Sequence, residues 1–569
     1  MRTIKTDIVP KEPKGSQFVI ERCPFQYGTN IDLTILDLEE DKVLNWPMVY
    51  ILANSDSAYV GQTTSVATRM GQHGASEEKK DFTTVNIIFN EEFNASVITD
   101  YEHRLIGLMH ADGIYHLTNK NDGMTDTNYF SKSEYADMFE SLWEELRLLE
   151  LADHTITEIE ESEVFKYSPY KGLTTDQRVA IDRIMASIKN GVFNAQPIVV
   201  EGRPGTGKTI LAIYLLKMLK DDPRYSGMNI RILEPVSQLR ETLKKSVANV
   251  NGLSEMDIMG PDDLAKAAYG FNEGEKGFDI LLVDEAHRLK RRTCISNYGQ
   301  YDKTSKVLGK GLTDSQLDWV LSQAKLPVLF YDPMQAVGPS CVEKESFDET
   351  LGAVLSDRIV LETQMRVKGG KSYLDYIADI VYGGNPKPLS FEDYEFVLHE
   401  DFDSFHSCFE SSISEHSLTR MIAGYAWKWV TGGRKKNILK GPDAFDIEID
   451  DVKLKWNSCY TNWVGKGFNN PAIAREVGCI HSIQGFDLSY AYVILGEDIK
   501  YNDKTGEIYV VRENYFDTNG KNKTTDEELD QFIKNIYYVL LTRGIYGTHV
   551  YICDPALRKH LAKFFPTVI

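Results

Sequence analysis

Residues 197–209 read PIVVEGRPGTGKT. A short apolar run, Pro197 to Val200, breaks into a glycine-rich turn and then into KTILAIYLLKML, an apolar helical pattern. Strand, glycine turn and helix in that order give the phosphate cradle G-x-x-x-x-G-K-[ST]. Gly202, Gly205 and Gly207 let backbone N–H groups curl around phosphate oxygens, with Thr206 in the same turn. The helix N-terminus adds positive potential. Lys208 places a point charge at the β- and γ-phosphates, and the Thr209 hydroxyl is a magnesium ligand. ATP and Mg2+ are the expected cofactors.

Outward from this turn the chain alternates strand and helix. IRILEP (230–235), DILLVDE (279–285) and PVLFYD (327–332) are apolar runs bounded by polar residues, the pattern of a parallel sheet covered on both faces. Helices are expected at 176–190 and 208–220. The strand over 279–283 ends in Asp284-Glu285-Ala286-His287, at the strand end where open α/β sheets bind ligands. Asp284 is expected to hold magnesium and Glu285 to polarise the attacking water.

Further short segments follow in order: LTTDQ with Gln177, expected at the adenine edge; FYDPMQ with Gln335, expected near the γ-phosphate; QMR with Arg366; IQGFD with Gln484 and Gly485; and LTRG with Arg543. Together with EGRPGTGKT, LEPVSQLRETLK, LLVDEAHRL, LETQMRV and GCIHSIQGFDLSYAYVILG, the series resembles the superfamily 1 helicases, and more closely the Schlafen group 3-like DNA/RNA helicase family, over roughly 170–560. The resemblance implies two RecA-like parallel-sheet lobes, 169–345 and 346–569, with ATP between them. It implies that Arg366 and Arg543 reach from the second lobe as arginine fingers, and that Gln484-Gly485 couples the nucleotide to a nucleic-acid track. The stretches that would carry large accessory subdomains are short, so strand separation is not part of the expectation.

The first 168 residues carry a different pattern. Residues 1–44, with Pro10, Pro13 and Pro24, read as an irregular extension. VYIL (49–52), a turn at 54–57, AYVGQ (58–62) and TVNIIF (84–89) read as strands, and a helix should begin near Ser96. Residues 133–152 carry an apolar stripe through Tyr135, Met138, Phe139, Leu142, Leu146 and Leu149, and so form an amphipathic helix. The acidic ITEIEESEVFKYSPYKG after it reads as a linker. Domains are therefore placed at 45–125, with helix and linker at 126–168.

Tyr50 and Tyr59 sit on two hairpin strands. Arg69 and His73 lie four apart on a helix, hence on one face. Glu102 falls on a later helix and Asn119 in a loop. This order resembles the GIY-YIG nuclease family over roughly 46–123, with VYI in place of the first motif. The resemblance implies a small α/β nuclease domain. Tyr50 and Tyr59 match the motif tyrosines, Arg69 the phosphate-stabilising arginine, Glu102 the metal-binding carboxylate, Asn119 a supporting asparagine and His73 a frequent histidine. Phosphodiester hydrolysis needs a deprotonated nucleophile, a metal and a cation on the nonbridging oxygens. One carboxylate with several waters suits Mg2+, with Mn2+ as the alternative.

The 569 residues carry a formal charge of -21, and residues 1–150 alone hold 25 acidic against 13 basic side chains. That composition argues against nonspecific coating of nucleic acid and for delivery of substrate by the motor or an oligomer; a homo-oligomer or a regulatory protein is an expected partner. Seven scattered cysteines without a C-x-x-C, no apolar run of membrane-spanning length and no apolar leader point to a cytoplasmic chain with no membrane partner. The expected function is an ATP-dependent nucleic-acid-processing enzyme, a motor coupled to an endonuclease acting on DNA before RNA, in the manner of a phage-defence effector. The alternative is an ATP-driven switch or scaffold whose N-terminal domain binds nucleic acid without cutting it.

Overall fold

The computed structural model describes residues 18–29, 38–119, 129–170, 173–189, 196–248, 250–352, 357–416, 418–431, 444–458, 463–468, 470–483 and 486–569. The chain divides into two compact units. One gathers Met1–Thr175 with Ile213–Gly227 and Thr242–Ile258; the other gathers Asp176–Ala212, Met228–Glu241 and Met259–Ile569.

The first unit is built on a sheet ordered β1-β4-β2-β3-β5, with β1 Val19–Pro24, β2 Met48–Ala53, β3 Ser57–Thr63, β4 Thr84–Phe89 and β5 His116–Leu117. The β2–β3 hairpin closes where the Asn54 side-chain oxygen accepts from the backbone N–H groups of Asp56 and Ser57, at 2.9 and 2.7 Å. That is the turn chemistry its sequence predicts. Helices α1 (Val66–Gly74) and α2 (Ala95–Asp112) follow. Asn94 caps α2 by accepting from Ser96 and Val97 N–H, and Gly113 ends it in the left-handed region at φ 76°.

Three expectations are corrected here. The N-terminal stretch is not all irregular: β1 pairs antiparallel with β4, and Cys23 and Phe25 are buried. Helix α3 runs Lys132–Leu148 and stops short of 152, because Glu150 turns left-handed at φ 59°. The acidic segment after it is no free linker. Thr155 and Glu158 form a capping box that starts α4 (Ile156–Glu161), and Ile159 and Tyr170 are buried in the same core as Tyr101 and Leu105.

Among the described residues the second unit holds two six-stranded sheets and two short two-stranded ones. In the first, β6 (Ile198–Gly202), β7 (Ile230–Leu233), β8 (Ile258–Met259), β9 (Phe278–Val283), β10 (Ala324–Tyr331) and β11 (Ile359–Leu361) lie in the order β11-β6-β10-β9-β7-β8. The pairs from β11 to β7 are parallel. Helices α5 (Thr175–Lys189) and α6 (Lys208–Asp221) flank β6 in sequence. In the second sheet, β12 (Glu395–His399), β13 (Arg420–Ala423), β14 (Gly478–Cys479), β15 (Leu488–Leu495), β16 (Gly544–Ile552) and β17 (Thr567–Val568) run in the order β14-β13-β15-β16-β12-β17, all parallel. Helices α7 (Gly370–Val381), α8 (Phe402–Glu415) and α9 (Asp526–Leu541) accompany it. The fold is thus α/β with parallel-sheet lobes, as expected. The lobe boundary at 345/346 is not where the first sheet ends. β11 pairs with β6, and Phe347 and Leu351 pack into the first lobe's core. Among the described residues no helix is long and apolar enough to cross a membrane.

Candidate nucleotide and nucleic-acid sites

The turn from β6 into α6 has the geometry its glycines permit. Gly205 and Gly207 take φ values of +81° and +76°, where a side chain is strained. A Cβ at Gly205 would lie 2.1 Å from the Gln364 Oε1, and one at Gly207 would lie 2.4 Å from the Gln177 Nε2. Neighbours therefore press on the loop from both sides. Gln364 Nε2 donates to Pro204 O at 2.7 Å, Met365 N to Gly205 O at 2.9 Å, and Gln177 Nε2 to Thr206 O at 3.0 Å. Gln177, expected at an adenine edge, thus braces the loop with its amide. Lys208 Nζ donates to Gly202 O and Arg203 O at 2.6 and 3.1 Å and lies 3.8 Å from Asp332.

The β9 end brings in the acidic pair. Asp284 is fully buried, and the Thr209 hydroxyl bonds to it. Burial, with Glu285 beside it, pushes the Asp284 carboxyl up. Burial also opposes ionisation of Glu285, but His287, Lys208 and Arg288 outweigh it and hold that carboxyl below the usual carboxylate range. Glu285 stands at φ 46°, a left-handed conformation for a non-glycine residue, and its carboxylate is 2.9 Å from His287 Nε2. His287 Nδ1 in turn accepts from Asp332 N at 3.3 Å.

From Asp332 a relay runs to the second sheet. Gln335 Nε2 donates to Asp332 Oδ2 at 2.7 Å, and Gln335 Oε1 accepts from Arg543 Nη2 at 3.1 Å. Arg543 is buried, and burial, reinforced by Arg366, pushes its guanidinium down to about 9, so it is a cation at neutral pH. Arg366 pairs with Asp487. Its segment follows β11 and is strapped to the phosphate loop, while Val367 beside it packs in the second sheet's core and Lys368 N donates to Ile545 O, so Arg366 sits where the chain passes from the first sheet to the second. Gln484 and Gly485 lie outside the described residues.

Several buried polar atoms here have no hydrogen-bond partner among the described residues: Asp284 Oδ2, Arg366 Nη1, and Nε and Nη2 of Arg288. A lone acceptor beside the Thr209 hydroxyl and lone cationic donors are the complement of a magnesium-bound polyphosphate, since buried polar groups are normally paired. A cavity of about 290 Å3 flanks the loop, lined by Glu201, Gly202, Arg203, Thr206, Asp332 and Gln364 among others. Sequence reading missed His287, Arg288, Asp332, Gln364 and Asp487. All five stand in quoted runs, but the last three gain meaning only from contacts across the fold.

In the first unit, Tyr50, Tyr59, Arg69 and His73 come together. Arg69 Nε donates to the Tyr50 hydroxyl at 3.0 Å, and that hydroxyl lies 2.7 Å from His73 Nε2. With the His73 proton on Nδ1, the oxygen that accepts from Arg69 turns its own proton to His73 Nε2. The Tyr50 and Tyr59 rings are 6.4 Å apart, and Lys79 stands over Tyr59 at 3.2 Å. Gly61 makes this possible, because a Cβ there would lie 2.3 Å from the Tyr50 hydroxyl. Burial raises the Tyr50 phenol well above its ordinary range, with Glu102 of α2 near enough to add to the rise. Burial, with Arg69 and Lys79, lowers His73 to about 4. Asn119 does not join the cluster. Its amide brackets Val60, accepting from the backbone N–H at 3.1 Å and donating to the carbonyl at 2.8 Å. That is a supporting role.

The model of the family described as Schlafen group 3, DNA/RNA helicase domain, matches residues 195–554. The uncharacterized protein YPL245W of Saccharomyces cerevisiae is 25% identical over 436 residues, covering 69% of this chain and 90% of the relative. Among solved structures, the Pif1 helicase from Candida albicans is 12% identical with a TM-score of 0.29, covering 69% of this chain and 96% of that one. The Arterivirus nonstructural protein 10 (helicase) is 13% identical with a TM-score of 0.28, covering 67% of this chain; the match spans 64% of the length of that chain.

Proposed function

Since the chain belongs to the Schlafen group 3, DNA/RNA helicase domain family, we propose that its second unit is an ATP-hydrolysing motor that acts on nucleic acid. The observation that carries this reading is the cluster of buried atoms near the phosphate loop with no hydrogen-bond partner among the described residues: Asp284 Oδ2, Arg366 Nη1 and two nitrogens of Arg288. ATP would lay its phosphates along Gly205–Thr209, with Thr209 and Asp284 holding magnesium. The metal, when bound, supplies positive charge to the phosphoryl oxygens. Glu285, fixed by His287, orients the attacking water and takes its proton. Arg366 and Arg543 stabilise the charge that develops on the transferred group. The Lys208–Asp332–Gln335–Arg543 relay gives the second sheet a way to sense the nucleotide.

The first unit, in this proposal, is a metal-dependent endonuclease of GIY-YIG type, with DNA as its first substrate and Mg2+ or Mn2+ at Glu102. The Tyr50–His73 contact supports it. Tyr50 relays the proton of the attacking water to neutral His73, and Arg69 stabilises the phenolate and the phosphate. A binding-only role, with ATP driving a switch, is favoured instead by the complete burial of Tyr50. The test is full-length protein with supercoiled plasmid, single-stranded DNA or RNA, with and without ATP, under Mg2+ and Mn2+. The motor reading expects ATPase stimulated by at least one nucleic acid and abolished in Lys208→Ala; unstimulated turnover sinks it. The nuclease reading expects nicking that is lost in Glu102→Ala. Stimulated ATPase with no cleavage under either metal selects the switch.

A further inference from the structure

Two imidazoles and a thiol converge on the second sheet, in a place neither proposed activity uses. His399 ends β12, His549 lies on β16 and Cys408 on α8, which packs against both strands. His399 Nε2 lies 3.1 Å from His549 Nδ1, and Cys408 Sγ lies 3.9 Å from the same nitrogen. All three ligand atoms fall within 4.8 Å of one another. His399 and His549 are buried.

The outer hydrogen bonds orient His549 and leave His399 two tautomers, since the Ser404 hydroxyl can donate or accept. His549 Nε2 meets the Glu395 carboxylate at 3.3 Å, an acceptor, so the ring proton sits on Nε2 and the Nδ1 lone pair faces inward. Tyr490 donates to the other oxygen of that carboxylate at 3.4 Å. His399 Nδ1 meets Ser404 Oγ at 3.1 Å; when it donates there, its Nε2 also turns a lone pair inward. Two nitrogen lone pairs at 3.1 Å repel unless a cation lies between them. The Tyr492 hydroxyl lies 3.2 Å from Cys408 Sγ and 3.1 Å from the Cys408 carbonyl oxygen, and its ring stacks on His549 at 4.6 Å.

We propose that His399, Cys408 and His549 form a binding site for a borderline-soft divalent cation, Zn2+ foremost, that ties α8 to β12 and β16. With Zn–N near 2.0–2.1 Å and Zn–S near 2.3 Å, a tetrahedral site has N···N edges of about 3.4 Å and N···S edges of about 3.6 Å. The two edges at His549, 3.1 and 3.9 Å, bracket those values, and the third edge lies within 4.8 Å, so the three donors need only close together around the ion. Glu395 supplies the carboxylate behind a metal-bound histidine that such sites use to fix the tautomer. A nitrogen and sulfur donor set rejects Mg2+ and Ca2+, which separates this site from the magnesium chemistry at Asp284. Water fills the fourth position, and binding releases the Cys408 thiol proton.

The test uses the full chain, stripped with a chelator and reloaded. One Zn2+ per chain is expected to survive gel filtration. Co2+ in its place should give a thiolate-to-cobalt charge-transfer band together with tetrahedral d–d bands. Cys408→Ser should remove the charge-transfer band while far-ultraviolet circular dichroism stays unchanged. Glu395→Gln should weaken binding about 10–100-fold. The wild-type cobalt spectrum needs no variant, so a misfolded mutant leaves the test intact. Absence of both stoichiometric Zn2+ and the charge-transfer band overturns the proposal in favour of a plain hydrogen-bonded His–His pair. So does metal content unchanged in Cys408→Ser combined with His549→Gln.

Discussion

Lys208 and Glu285 have separable duties, and their substitutions should separate too. Lys208→Ala removes the charge expected on the phosphates, so ATP turnover should fall at least about 100-fold, the scale of losing one transition-state electrostatic contact. Glu285→Gln keeps the shape and loses the base. Nucleotide affinity should persist by fluorescence titration while phosphate release stops; a variant that still turns over would place the base elsewhere. Gln335 and Arg543 test the relay. They share one hydrogen bond at 3.1 Å. The Gln335→Ala and Arg543→Ala losses in kcat/KM should fall short of adding in the double variant, with a coupling of about 0.5–3 kcal/mol. Full additivity would show the contact to be idle. At this scale the sequence was legible wherever chemistry is local. The P-loop and Asp284-Glu285 could be read because backbone path and side chain are set within a few residues. The roles of Asp332, Gln364 and Asp487 could not, because Lys208, Pro204 and Arg366, which they meet, lie far along the chain.

Elements were legible where an apolar run was bounded by polar residues, as β2, β4 and β9 were. They failed where a cap or a turn decided the matter. The Thr155-x-x-Glu158 box was present in the sequence, yet acidity masked α4 as a linker. β1 was hidden by Pro24 at its end, since an edge strand tolerates what a central strand does not. Trp143 was absent from the predicted stripe of α3, yet it is fully buried and donates to His154 O at 2.9 Å. Two helices of the first unit also carry a pH dependence. His73 on α1 and His110 on α2 fall from 6.5 to about 4, each chiefly through burial. Between those values the unfolded chain takes up protons that the folded chain refuses. Stability therefore rises with pH across this window, is full above about 6.5 and is lost as pH falls toward 4. Hydrogen exchange of the β2 and β4 amides at stepped pH should show protection falling on acidification, and His110→Phe should flatten the slope. Protection that is flat from pH 7 to 4.5 would remove these histidines from the balance.

At the scale of the molecule, the boundary read between nuclease-like and motor halves near residue 168 is the one that structure redraws. The first unit gathers Ile213–Gly227 and Thr242–Ile258 as well as Met1–Thr175. Sequence reading had no route to this, because those segments are the later turns of helices whose first turns belong to the phosphate loop and its neighbour. The reason they count is packing. Val250 is 2% exposed in the core that holds Leu117 and Tyr101, Leu253 packs on the same core, and Leu117 bridges Val250 backbone to backbone. A fragment ending at residue 175 loses both side chains and that bridge. Removing a buried aliphatic side chain costs about 2–5 kcal/mol, a large share of a domain's stability. The fragment should therefore unfold at lower urea than the same residues do in the full chain, and should bind a hydrophobic dye at neutral pH. In the intact chain, Val250→Ala should reproduce part of the loss, read as exchange of the β5 and α2 amides, while ATP turnover holds. A fragment 1–175 as stable as its counterpart in the whole protein would mean that the contiguous boundary was right and that the later helical turns only rest against a finished domain.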